Sequence, residues 1–234
     1  MEVGALPDDR AAGVGVGLAS IPSAVVFVTR LVRLFVGLLC FGLGIALLVH
    51  ADLGLGPWDV LHQGISRRTG IPIGTVGIIV GAVLLLAWIP LRQRVGVGTV
   101  LNTLLIGVVI DVTLWLLPTS APFAVRVAEV ATGIVLVAVG SGFYIGAGLG
   151  PGPRDGLMTG IAARSPSVRV VRTGIELTVL VLGWLLGGTV GVATAIQAVT
   201  IGPLVQWFLE RLSLEPRGSV STPVLGPMMI ESRP

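Results

Sequence analysis

Gly54-Leu55-Gly56-Pro57-Trp58-Asp59 is a passage written twice, returning as Gly150-Pro151-Gly152-Pro153-Arg154-Asp155. Around it Ala51, Leu53, Gly54, Gly56, Pro57, Asp59, Leu61, Gly64 and Ile65 recur at Ala147, Leu149, Gly150, Gly152, Pro153, Asp155, Leu157, Gly160 and Ile161, all at an offset of 96. Further on, Gly96, Val97, Thr99, Ile106 and Gly107 match Gly191, Val192, Thr194, Ile201 and Gly202 at an offset of 95. Self-similarity at a fixed period marks a repeated structural unit, here of about 90 residues.

The repeated passage ends one helix and starts another. Gly54 and Gly150 can take the left-handed conformation that closes a helix. Pro57 and Pro153 suit the first position of the next, where no amide hydrogen is needed. Asp59 and Asp155 then fall in the first turn, where a carboxylate complements free amides and the helix dipole. In the first copy the short helix has two expected faces, Trp58, Leu61 and Ile65 on one and Asp59, His62 and Ser66 on the other.

Composition puts these breaks inside a membrane protein. The chain is 53% hydrophobic and 12% charged, with a mean hydropathy of +0.97, against roughly 25% charge in soluble domains. Apolar stretches long enough to cross a bilayer lie near 31–50, 71–91, 97–117, 125–146, 168–188 and 192–212, three per repeat. A five-span alternative, with one stretch lying in the interface, stays open. An odd number of crossings per repeat turns the second copy upside down. The expected fold is therefore an all-α membrane protein of about six transmembrane helices, built from two tandem, inverted, three-helix repeats with short broken or re-entrant helices.

All fifteen basic residues are arginine. With both termini cytoplasmic, only Arg67, Arg68 and Arg126 face outward, the asymmetry that orients membrane proteins. The basic balance thus reads as a topology signal, and no nucleic-acid partner is expected. Residues 1–24 and 213–234 read as flexible cytoplasmic tails, with repeat 1 over 25–118 and repeat 2 over 119–212. The acidic Glu2, Asp8 and Asp9 are wrong for the start of a signal peptide. Cys40, the single cysteine, allows no intrachain disulfide, and packing is its expected role.

Discontinuous helices in matching places of two halves point to a transporter's binding site, and broken helices at membrane depth need a protein or cavity environment. Two readings of Asp59 and Asp155 stand open: caps of interfacial helices, or ligands for an ion, proton or polar solute. Depth in the bilayer separates them, since intramembrane carboxylates are costly. Asn102 aligns with Gln197, giving paired amides that either bond between helices or line a path. Gly54, Gly56, Pro57, Gly150, Gly152 and Pro153 are the helix-break and gating candidates. Arg172 and Glu176, four apart, suit an ion pair. His62, whose counterpart is Met158, reads as a partly exposed residue outside the duplicated design. Glycines at 42, 44, 140, 142, 146 and 148 suit close helix contacts, a homodimer or a membrane protein partner. No nucleophile, metal or nucleotide motif is present, so no enzyme, cofactor or metal site is expected.

The run from Gly42 through Leu53-Gly54-Leu55-Gly56-Pro57-Trp58-Asp59-Val60-Leu61, then Gly64-Ile65, Thr69-Gly70, Ile73-Gly74 and Gly96-Val97-Gly98-Thr99, resembles the YczE/YitT-type bacterial integral membrane proteins over roughly residues 31–212. The resemblance implies a bacterial cytoplasmic membrane location and a link to regulation or export of secondary metabolites. Arg154 stands where the pattern has Trp58, which breaks the symmetry of the two copies. The functional expectation is a small-solute or ion transporter or exporter with its site between the repeats, the alternative being an accessory or regulatory protein docked on another membrane complex.

Overall fold

The computed structural model describes residues 23–163 and 167–212, so the expected tails, apart from Ser23 and Ala24, lie outside the described residues. Eight α-helices follow in order: α1 (Ser23–Ala51), α2 (Pro57–Thr69), α3 (Ile73–Leu91), α4 (Val97–Leu116), α5 (Phe123–Gly146), α6 (Pro153–Ala162), α7 (Val168–Leu185) and α8 (Val192–Leu212). Each half runs long, short, long, long.

Five helices, α1, α3, α4, α5 and α8, are long and apolar enough to cross a membrane. The eighteen-residue α7, expected as part of a sixth span, carries Arg169, Arg172 and Glu176 in its first half and is not among them. Helix α1 starts earlier than the apolar run suggests, continuing through Arg30 and Arg33, because arginine is a good helix former.

The centre is the antiparallel pair α1 and α5, with α4 along α1 and α8 along α5. Small residues let the backbones approach, as in membrane helix pairs generally. A methyl group built on Gly37 would come within 2.8 Å of the Gly140 carbonyl oxygen, and one on Gly140 within 2.6 Å of that of Gly37. The same reciprocity joins Gly44 and Gly133, at 2.7 and 2.8 Å. Leu48, Ala51, Leu55, Val60, Val130, Ile134 and Ala193 fill one end of this centre, and Leu34, Leu38, Tyr144 and Ala147 the other.

The remaining helices cross between halves: α2 packs on α7, and α3 on α6. Gly156 lies flat on the Trp88 indole, whose Nε1 donates to the Pro153 carbonyl at 3.1 Å. In the other crossing the sizes are reversed, with the Val60–Leu61 backbone set against Gly183. Helix α3 also lies along α4, where Asp111 accepts from the Gly74 amide at 2.6 Å, the Thr75 amide at 2.7 Å and the Thr75 hydroxyl at 2.8 Å, an anion set at a helix N-terminus. Helix α7 does not pack along α8 in this way.

Arg67, Arg68 and Arg126, the three expected on the outer side, gather at one end. Arg67 donates to the Gly187 carbonyl at 2.7 Å and pairs with Asp52 at 3.1 Å, Arg68 donates to the Leu186 carbonyl at 3.1 Å, and Arg126 donates to Ala51 at 2.6 Å and Asp52 at 3.0 Å.

Candidate functional site

The two helix breaks have one geometry. Gly56 and Gly152 precede their prolines at φ/ψ of −66/158° and −65/159°, and Gly54 and Gly150 hold φ of +120° and +124°, a region that L side chains rarely occupy. Left-handed closure falls two residues earlier than the sequence suggests, at Asp52 (φ 46°) and Gly148 (φ 66°). Pro57 and Pro153 open α2 and α6, with Asp59 and Asp155 in their first turns.

Each break is held by the opposite half. The Gly98 amide donates to Leu149 at 2.9 Å and the Thr99 hydroxyl to Pro151 at 2.8 Å, while the Ala193 amide donates to Leu53 at 3.0 Å. The first turns of α4 and α8 are themselves tied alike, Gly96 N donating to Thr99 Oγ1 at 3.3 Å and Gly191 N to Thr194 Oγ1 at 3.2 Å. The paired amides follow the same crossing. Buried Gln197 donates to the Gly54 carbonyl at 3.5 Å, and its Oε1 would lie 3.4 Å from a methyl on Gly56. The Asn102 Oδ1 would lie 3.4 Å from a methyl on Gly152.

Where the first turns of α2 and α6 meet, Arg154 Nη2 donates to Asp59 Oδ1 at 3.1 Å. The same nitrogen is 3.5 Å from His62 Nδ1, and the guanidinium carbon stands 5.5 Å from the Trp58 ring centroid. Asp155 accepts from the Tyr144 hydroxyl at 2.9 Å. Asp59 is 8% exposed and His62 only 4%. His62 Nδ1 also stands 3.7 Å from Asp59 Oδ1, and the ring's other nitrogen, Nε2, is buried with no partner. The Trp58 indole nitrogen is likewise buried and unpartnered.

The expected two-faced α2 is corrected here. Trp58, Asp59, Val60, His62, Gln63 and Gly64 are all buried, because α7 and α3 cover the helix on both sides. His62 is therefore no partly exposed bystander; it borders the central charge pair. Arg154, which the sequence marks only as a departure from symmetry, bridges the two halves. Tyr144 carries no sequence signal, sitting eleven residues before its aspartate. The sequence-expected Asp59, Asp155, Asn102 and Gln197 are brought to the two breaks. Arg172 and Glu176 form their pair at 3.0 Å but on an exposed stretch of α7. Among the described residues no three His, Cys, Asp or Glu side chains converge as metal ligands. The cluster gathers a guanidinium, two carboxylates, a phenol hydroxyl, an imidazole and an indole N–H.

Residues 28–210 match a family model described as a family of unknown function (DUF6198). The chain belongs to that family. It is 41% identical over 177 residues to an uncharacterized protein of Haemophilus influenzae, covering 75% of this chain and 81% of that one. It is 36% identical over 181 residues to the uncharacterized membrane protein YczE of Bacillus subtilis, covering 76% and 84%. The uncharacterized protein YyaS of Bacillus subtilis is 26% identical over 181 residues, covering 74% and 89%. No solved structure matches. With several apolar spanning helices and a named membrane relative, the protein is a multi-pass membrane protein.

Proposed function

We propose that the protein carries a small solute or ion across the bacterial cytoplasmic membrane, through a site where the two helix breaks meet. The observation that carries this reading is the Arg154–Asp59 pair, which joins the first turns of two discontinuous helices, one from each half. Carrier sites are built from such broken helices at a repeat interface. On this reading the halves are inverted repeats with six crossings and cytoplasmic termini. The antiparallel α1–α5 pair supports the inversion, because Gly37 and Gly44 are the repeat equivalents of Gly133 and Gly140 and contact them reciprocally. No enzymatic step is assigned to the cluster.

A second reading, a non-transporting accessory protein docked on a homodimer mate or another membrane protein, draws on α7 and α8. Gly202 has nothing within 4 Å on the helix equivalent to α4, where Gly107 meets Gly74, so a surface buried in one half is open in the other.

Side-specific labelling tests the carrier reading. In a Cys40→Ala background, single cysteines replace Leu61 and Met158, which pack beside Trp58. An impermeant maleimide applied to right-side-out and to inside-out vesicles is expected to reach each position from both sides. Reaction from one side only at both positions rejects alternating access and favours the accessory role.

A further inference from the structure

Helix α1 ends in a side chain that reaches two other segments. His50, in the last turn of α1, sets its Nδ1 2.8 Å from Glu129 Oε1 of α5 and its Nε2 2.7 Å from the Pro118 carbonyl oxygen. Pro118 lies in the link between α4 and α5, where one half of the chain passes into the other. We propose that His50 and Glu129 form a proton-operated latch, which ties this link to the central α1–α5 pair while it holds an extra proton and releases the link when that proton leaves. The latch rests on these contacts alone and stands whether or not the chain transports.

The proton count decides what the contacts can be. A carbonyl oxygen only accepts, and so does an ionised carboxylate. Both contacts are hydrogen bonds if an imidazolium donates from both nitrogens, or if a protonated Glu129 donates to Nδ1 while Nε2–H meets Pro118. In either arrangement the pair holds one proton more than a neutral imidazole beside a carboxylate. Without that proton, a nitrogen lone pair faces an oxygen lone pair, at 2.8 Å toward Glu129 or 2.7 Å toward Pro118. The two side chains are only 9% and 11% exposed, so water does little to relieve the contact. Glu129 Oε2, the second carboxylate oxygen, is already buried without a donor. Pro118 is exposed and outside any helix, and it is the partner with room to withdraw. Loss of a proton from an imidazole falls within reach of ordinary pH, at about 5–8.

The other charged groups at this end are held elsewhere. Arg126 of α5 donates to the Ala51 and Asp52 carbonyls. Asp52 accepts from Arg67 of α2 and from Thr189, and Asp111 of α4 accepts from the start of α3. Arg126 therefore braces the end of α1 against α5 with a permanent charge, and His50 braces the link with a removable one. At the opposite end of the bundle the fastening differs. By the offset of 96, Arg33 stands in place of Glu129 and Gly146 in place of His50, and Arg33 donates directly to the Leu212 carbonyl at the end of α8. The end of α8 is thus tied by a guanidinium that keeps its proton, and the end of α4 by a group that can lose one.

The test places a nitroxide on Thr119→Cys, an exposed position in the link, in a Cys40→Ala background with the full chain in lipid nanodiscs. The spectrum reads the mobility of the link. An immobilised component present at about pH 5.5 is expected to be lost by about pH 8.5. Glu129→Gln discriminates, because its amide donates to Nδ1 while a neutral ring donates to Pro118; the immobilised component should then persist at both pH values. His50→Ala should lack it at both, and Glu129→Gln decides alone if that variant does not fold. A parent spectrum unchanged between the two pH values, release in Glu129→Gln as in the parent, or an immobilised link in His50→Ala overturns the proposal.

Discussion

Gly37→Ala and Gly202→Ala are the same chemical change and should move stability in opposite directions. At Gly37 the new methyl would lie 2.6 Å from the Tyr144 amide nitrogen and 2.8 Å from the Gly140 carbonyl oxygen. Both are backbone atoms, so no side chain can swing away. Ordinary contact begins at 3.4 Å, so relieving the 2.6 Å contact needs a shift of about 0.8 Å between α1 and α5, and overpacking of this kind costs about 1–3 kcal/mol. Gly202 has nothing within 4 Å, so only the backbone term remains, and alanine should stabilise α8 by about 0.5–1 kcal/mol. Gly140→Ala opens the same gap as Gly37→Ala, so the double variant should lose about 1 kcal/mol less than the separate losses combined. The assay is reversible unfolding by SDS in mixed micelles, followed by far-ultraviolet circular dichroism. Equal stability of Gly37→Ala and Gly202→Ala, or strict additivity in the double variant, would refute the close approach of α1 and α5.

Three more outcomes follow from the same geometry. Thr99→Val removes the hydroxyl that donates to Pro151 and accepts from Gly96; in the same unfolding assay it should cost about 1–3 kcal/mol, more than Thr194→Val, whose hydroxyl holds only the Gly191 amide. Asp111→Asn keeps the shape of the α3 cap but loses its charge and part of its acceptor set, and should destabilise by about 1–2 kcal/mol in the same unfolding assay. Gly150→Ala forces a side chain at φ +124° and sets its methyl 2.8 Å from Thr99 Oγ1; a loss of about 2 kcal/mol or more is expected, read as reduced folded yield on gel filtration.

The helix breaks were legible because glycine and proline punctuate an otherwise apolar chain at places where nothing else would. The long helices were legible by length and hydropathy, with α7 the exception, since charges one to two turns into a helix blur the line between a span and a surface helix. The partners of each break were not legible. Their spacing in the sequence sets Asn102 and Gln197 at matching places in the two halves, but it says nothing of which half each amide meets, and each meets the other half. A polar residue such as His62 on a short amphipathic helix reads as wet, whereas tertiary cover from α3 and α7 decides its burial. In the sequence Arg154 shows only as a departure from the Trp58 pattern; its pairing with Asp59, 95 residues away, becomes visible only when the two halves are packed together.

The reversed sizes at the two crossings limit what either half could do alone. A chain made of two first halves would set a valine at position 156, on the face of the Trp88 ring where glycine already lies flat. The two crossings are thus fitted to different partners, and Trp88 and Gly156 can change size only together.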